Sequence, residues 1–181
     1  YHLCQACYGT QVDNFWTTLP RPFFVLAPME DVTDAAFRAL IARHSYSQIP
    51  RVMFTEFTSA DGLVFADEKG RRRLDTKLSF TQAERPIVAQ LFTASPERME
   101  RAATIIADLG FDGLDINMGC PDKAVEKSGC GSAMIKNPDL AKEIIRAATR
   151  GWQKGSQQNV RGKRRRTSLK LGLGTPDCHF A

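Results

Sequence analysis

Cys120 stands between Gly119 and Pro121, three residues after Asn117, in the run Asp115-Ile116-Asn117-Met118-Gly119-Cys120-Pro121-Asp122. A cysteine there is either a thiol placed for chemistry or a small hydrophobe buried for its packing. Asn117 offers an amide donor and acceptor to a ligand, or caps the loop that follows it. Position favours chemistry. Residues 107–114 read as a helix end, a turn at Gly110 and a buried strand, so Asn117 and Cys120 fall at a strand's C-terminal edge. In βα architectures that edge carries the active site.

Three other apolar runs end in residues of the same interest. Glu56 follows Met53-Phe54-Thr55, Gln90 follows Ile87-Val88-Ala89, and Pro28, Met29 and Glu30 follow Phe23-Phe24-Val25-Leu26-Ala27. Each has an ordinary alternative: Glu56 as a solvated turn acid, Gln90 as a polar strand end, Pro28 as a strand stop.

The elements that must position these residues alternate short apolar runs with longer amphipathic ones. Strands are predicted over 23–27, 51–55, 85–91 and 111–117. The first helix is predicted over 31–45, with Val32, Ala35, Ala36, Ala39 and Leu40 at helical spacing and Thr33 as its cap. A second spans 59–66 with Leu63 and Val64 inward, and the polar segment 67–84 is predicted to hold a minor hairpin. Ser95-Pro96-Glu97 opens the third helix with a capping hydroxyl, proline at the first position and an early acid; Met99, Ala102, Ala103, Ile106 and Leu109 share one face. Asn137-Pro138-Asp139 opens the fourth, predicted to run to about Thr149. Consecutive βα units imply a parallel sheet with right-handed crossovers, and their period leaves an open sheet and a closed barrel equally allowed.

Composition bounds the class. The 181 residues suffice for one domain with a sizeable core, and no run of about eighteen apolar residues predicts a membrane span. The chain starts at Tyr1 without a presequence pattern, as expected inside a longer chain or after processing. Five cysteines form no disulfide framework and leave an odd thiol, so a reducing compartment is expected, cytoplasmic or nuclear. Cys4-x-x-Cys7 has no second pair at usable spacing and Cys178-His179 is remote, so no metal is expected. Gly129-Cys130-Gly131 lacks the lysine of a phosphate loop and reads as a tight turn.

The net charge of +5 is unevenly placed: residues 151–181 carry +6, leaving −1 for residues 1–150. The basic cluster at 161–166 suits RNA phosphates, a nuclear address or a solvated tail. Beyond Arg150 no apolar period is read, and the tail is expected to be disordered or unrelated to the body.

Taken in order, Leu26-Ala27-Pro28-Met29-Glu30-Asp31-Val32-Thr33-Asp34, Thr55-Glu56, Val88-Ala89-Gln90-Leu91 and Asp115-Ile116-Asn117-Met118-Gly119-Cys120-Pro121 resemble the tRNA-dihydrouridine synthases. The loop 125–135, with Gly129-Cys130-Gly131-Ser132-Ala133, is also similar to that family's. The resemblance covers roughly residues 22–150 and implies an α/β fold, a TIM-type (β/α) barrel of which the first four βα units are present. It divides the chain into an N-terminal extension (1–21), a partial FMN-binding catalytic barrel (22–150) and the basic tail (151–181).

The implied function is FMN-mediated, NADPH-dependent reduction of uridine to 5,6-dihydrouridine in tRNA. That reaction needs hydride at one ring carbon and a proton at its neighbour. The resemblance makes Cys120 the proton donor, a role a thiol suits because it stays protonated in neutral water, where a carboxylic acid is ionised. It lays Pro28, Met29 and Glu30 along the flavin, sets Gln90 at the isoalloxazine edge, turns Asn117 to a pyrimidine edge or the flavin, and has Glu56 orient the cysteine loop or meet the substrate. The family's later lysine, histidine and glycine-rich phosphate segments have no counterpart here, so a fragment, a truncated product or a misassembled gene model is expected. Other readings are a different FMN-dependent barrel oxidoreductase, such as a dihydroorotate or enoate reductase acting on a small substrate, and an inactive RNA-binding fragment.

Overall fold

The computed structural model describes residues 15–45, 50–158 and 168–169. Cys4, Cys7, Cys178, His179 and the basic cluster 161–166 lie outside the described residues. Five parallel strands form one sheet in sequence order: β1 (Phe24–Leu26), β2 (Arg51–Ser59), β3 (Ile87–Phe92), β4 (Gly113–Ile116) and β5 (Ser168–Leu169). Strand order equal to chain order is the arrangement of a βα barrel laid open, in which each unit adds beside the last. Beyond α1 (Phe15–Thr18), the connections carry α2 (Ala35–His44), α3 (Ala60–Phe65), α4 (Glu68–Leu78), α5 (Pro96–Leu109), α6 (Lys123–Lys127) and α7 (Pro138–Gln158).

Alternation along the strands separates two cores. Met53, Ile87, Ala89, Leu91, Leu114 and Ile116 face the helices and join Met99, Ala103, Ile106, Ile144 and Ala148 in the larger cluster. Val52, Phe54 and Val88 face the other way and pack with Phe15, Trp16, Leu19 and Phe23. From Phe15 onward the expected extension is therefore part of the core, because α1 covers apolar side chains that the helix layer cannot reach. Gln90 and Asp115, register partners of adjacent strands, share the face of Val88.

Several expectations shift by a few residues for identifiable reasons. The cap of α2 is Asp34, whose carboxylate accepts Phe37 N at 2.7 Å, while Thr33 is buried one residue earlier with its hydroxyl engaged by Met29. Residues 67–84 form α4 and a 3₁₀ turn at Gln82–Glu84 in place of the predicted hairpin. Asp67 caps α4 through Gly70 N, and Gly70, Leu74 and Leu78 recur at helical spacing on its covered side. The helix predicted to stop near Thr149 continues to Gln158, so the boundary drawn at residue 150 falls inside α7.

Two glycines explain that continuation. A Cβ at Gly151 would stand 2.0 Å from Glu100 O, and one at Gly155 2.5 Å from Thr104 O, so α7 lies against α5 at a separation other residues forbid. Thr104 Oγ1 donates across the seam to Gly151 O at 3.0 Å, and Arg150 and Lys154 both bind the Glu100 carboxylate. Those two cations hold Glu100 below the usual carboxylate range. Strand β5 also covers part of β4, pairing Gly113 with Ser168 and Leu114 with Leu169.

Candidate active site

Pro28, Met29, Glu30, Asn117 and Cys120 follow the C-terminal ends of β1 and β4, whereas Glu56 and Gln90, expected to end their strands, lie within β2 and β3, which run on to Ser59 and Phe92. Past Leu26 the chain turns at residues 29–33, with Val32 N and Thr33 N both donating to Met29 O. Asp31 takes the left-handed conformation at φ 57°, uncommon for a residue with a Cβ, and its amide is held by Glu56 Oε1 at 2.8 Å. The turn is also tied from below. Arg38, fully buried, donates to Thr33 O at 2.7 Å, to Ser79 O at 2.6 Å and to Glu84 Oε2 at 2.9 Å. Thr33 Oγ1 in turn accepts Met29 N at 2.9 Å.

Glu56 reaches this turn because β2 is irregular. Phe54 pairs with Val88 but Phe57 with Gln90, which inserts one extra residue between them, a bulge of the kind that re-aims side chains beside active sites. At the bulge Gln90 N finds Thr55 Oγ1 at 3.2 Å as its acceptor. Glu56 is buried and its carboxylate holds the Asp31 amide in the β1 turn. Glu30, Asp31 and Glu56 bring their carboxylates within 4.8 Å of one another, and Lys77 from α4 is the cation among them: its Nζ is 2.8 Å from Glu30 and 3.8 Å from Glu56. Lys77 also lies 5.8 Å above the Phe57 ring.

On β3 and β4 the polar groups form a chain. Gln90 Nε2 donates to Asp115 Oδ2 at 2.6 Å, and Asn117 Nδ2 donates to Gln90 Oε1 at 3.3 Å. Asn117 Oδ1 accepts the backbone amides of Gly119 at 3.2 Å and Cys120 at 3.0 Å. Asn117 thus does what its ordinary alternative requires, capping the loop, and also joins that loop to Gln90. Each of the two amide NH2 groups has a second hydrogen, and both side chains are buried, one within β3 and one just past β4, an arrangement that fits the acceptor atoms of a heterocycle's edge.

The cysteine loop is seated from behind. Ser132 N donates to Cys120 O at 3.0 Å, and Gly131, at φ 59°, lies so close that a Cβ would stand 2.5 Å from Cys120 O. The Gly129-Cys130-Gly131 segment is the tight turn its sequence suggested, and it also backs Cys120. Cys120 is half-buried and free; Cys130 is buried, and that burial pushes its thiol above the ordinary range.

The amide and carbonyl of Met29 are consumed within the turn, leaving its exposed side chain as an apolar surface, and Glu30 is paired with Lys77. The site thus has groups to suit a flavin ring edge; no phosphate cradle stands among the described residues. Sequence reading assigned no site role to Asp115, Lys77 or Arg38, and gave Thr33 only that of a helix cap. Asp115 had a legible signal, a carboxylate between the buried Leu114 and Ile116.

A parallel βα sheet with buried amides and a free thiol at its C-terminal edge defines a barrel protein of the ligand-binding or catalytic kind. Residues 25–161 match the family model of dihydrouridine synthase (Dus), and the chain belongs to that family. It is 48% identical over 139 residues to the "Probable tRNA-dihydrouridine synthase 2" of Bacillus subtilis strain 168, covering 77% of this chain and 41% of that protein. It is 45% identical over 139 residues, with the same coverage, to proteins called "Probable tRNA-dihydrouridine synthase" from Staphylococcus epidermidis and from Staphylococcus aureus strain COL. The chain therefore spans about two-fifths of the length of the curated relatives it matches. No helix among the described residues is long and apolar enough to cross a membrane.

Proposed function

We propose that this chain forms the first part of the catalytic barrel of a tRNA-dihydrouridine synthase, which reduces a uridine of tRNA with FMN as cofactor and NADPH as the source of electrons. The observation that carries the reading is the single hydrogen-bonded chain Asp115–Gln90–Asn117–Cys120, which couples the ring-edge amides to the loop bearing the thiol.

When bound, the flavin supplies hydride to one carbon of the uracil 5,6 double bond. This chain's residues do the rest. Gln90 and Asn117 turn their remaining amide hydrogens toward the ring edge and fix its orientation. Met29 offers an apolar side chain at the rim. Cys120 donates its thiol proton to the neighbouring carbon as the C–H bond there forms, and the thiolate is reprotonated from solvent. The net change is uridine, NADPH and one proton consumed, NADP⁺ and 5,6-dihydrouridine formed. The target base must leave its stack to enter, since stacking hides the double bond.

Titration of the purified chain with FMN tests the reading. Quenching of flavin fluorescence with saturation at one equivalent is expected, and loss of the quench in Gln90→Ala. No binding at any FMN concentration rejects the flavoenzyme reading for this chain.

A further inference from the structure

Strand β4 turns one acidic side chain into an apolar wall. Leu114 and Ile116 face the helices, so Asp115 between them faces the side of Val52, Phe54 and Val88, where it is 2% exposed. Burying a carboxylate is costly, and an apolar residue at this position would avoid that cost. What the carboxylate gains is Gln90, its register partner on β3, whose Nε2 donates to Oδ2 at 2.6 Å, the short length of a hydrogen bond to a charged acceptor.

That bond has a direction, and so does every link beyond it. Asn117 Nδ2 donates to Gln90 Oε1 at 3.3 Å, and the amides of Gly119 and Cys120 donate to Asn117 Oδ1 at 3.2 and 3.0 Å. A backbone N–H can only donate and a carboxylate can only accept, so the two ends of the chain impose one polarity on both amides between them. Turning the Gln90 amide over would set its nitrogen against the nitrogen of Asn117 and its oxygen against the Asp115 carboxylate. An apolar residue at 115 removes the second of those penalties, whereas an asparagine keeps an oxygen able to accept. The backbone at both positions has anchors of its own: Gln90 N is bound by Thr55 Oγ1 at 3.2 Å and Asn117 N by Leu91 O at 2.8 Å. What Asp115 adds is control of the Gln90 side chain.

We infer that Asp115 is the positioning residue of the site: it holds the Gln90 amide in one orientation and, through Asn117, sets how firmly the loop bearing Cys120 is kept. Gln90 then offers a ligand the second hydrogen of Nε2 and the remaining lone pair of Oε1 at fixed places. Asn117, its oxygen filled by two backbone amides, offers a hydrogen only. A ring edge that meets Asn117 must therefore present an acceptor there. The inference deepens the proposed function and, for the ligand's side of it, rests on a flavin or pyrimidine ring being what Gln90 and Asn117 meet.

The test is a double-mutant cycle on the full chain, read by the rate at which iodoacetamide alkylates Cys120, followed on its own peptide by mass spectrometry. Asp115→Ala is expected to quicken that alkylation about 2- to 150-fold, the span of coupling within one hydrogen-bonded network. In the Gln90→Ala chain the same substitution should change nothing further, because the residue it acts through is gone. Asp115→Asn, which keeps the shape and an accepting oxygen, should fall between Asp115→Ala and the parent, both in alkylation and in FMN affinity measured by flavin fluorescence. Where Asp115→Ala does not fold, the cycle is run with Asp115→Asn, whose smaller effect should likewise vanish without Gln90. An unchanged alkylation rate, equal effects with and without Gln90, or an Asp115→Asn chain no better than Asp115→Ala overturns the inference. A parent chain that binds no FMN overturns the proposed function, while the alkylation cycle, which needs no cofactor, still decides the role of Asp115.

Discussion

Asn117 Oδ1 accepts the backbone amide of Cys120 at 3.0 Å, and the same side chain donates to Gln90 at 3.3 Å. One residue thus fixes both the thiol's loop and the amide beside it. Asn117→Ala leaves the amides of Gly119 and Cys120 without their acceptor and is expected to destabilise the chain by about 1–3 kcal/mol. Urea denaturation measures that loss. Alkylation of Cys120 by iodoacetamide should quicken in the same variant, because its loop is released.

Cys120→Ala separates proton donation from binding. If the thiol is the acid, reduction of tRNA uridine falls about 10²- to 10⁴-fold, while FMN affinity, which does not use the thiol, stays within twofold. Dihydrouridine yield in single-turnover reactions with NADPH gives the first quantity and flavin fluorescence the second. An undiminished yield removes Cys120 from the chemistry.

The close approach of α7 to α5 gives a pair of opposite signs. Gly151→Ala gains helix propensity of about 1 kcal/mol but drives a methyl into the Glu100 carbonyl, a backbone atom that cannot swing away. A net loss of about 1–3 kcal/mol is expected. Gly62→Ala in α3 meets nothing nearer than 3.5 Å, and should stabilise by about 0.4–1 kcal/mol. Paired denaturation curves decide both signs.

Burial raises the Cys130 thiol's pKa in the folded chain, so the folded state retains its proton where the unfolded state releases it. Its contribution is complete below the ordinary thiol range, about 8.5, and is lost as pH rises from there through the folded value. Cys130→Ala, which cannot ionise, should therefore lose less stability than the parent between neutral and alkaline solution. Denaturation midpoints across that range measure the difference. At neutral pH, iodoacetamide should label half-buried Cys120 well before Cys130.

Much of the fold was legible because its signals are local. Ser95, Pro96 and Glu97 mark the start of α5, and Met99, Ala102, Ala103 and Ile106 are buried along it as their spacing required. Apolar runs marked the strands, and the blocks at their ends named the family. What stayed hidden depends on partners distant in the chain. Segment 67–84 reads as polar because α4 buries only a narrow stripe. The continuation of α7 past Arg150 was not readable, since the helix that makes Gly151 and Gly155 necessary lies far earlier in the chain. Glu56 could not be assigned a partner until the bulge in β2 turned it toward Asp31.

The buried union of Arg38 with Glu84 constrains how such a chain can change over generations. Losing either partner strands an uncompensated charge in the interior, whereas exchanging both for well-packed apolar residues need cost little. Even that exchange would free the carbonyls of Thr33 and Ser79, which Arg38 also satisfies. A lineage can therefore leave this arrangement only by crossing several unfit intermediates. The two positions are expected to be inherited together, as a linked pair forty-six residues apart, even where the surface around them drifts freely.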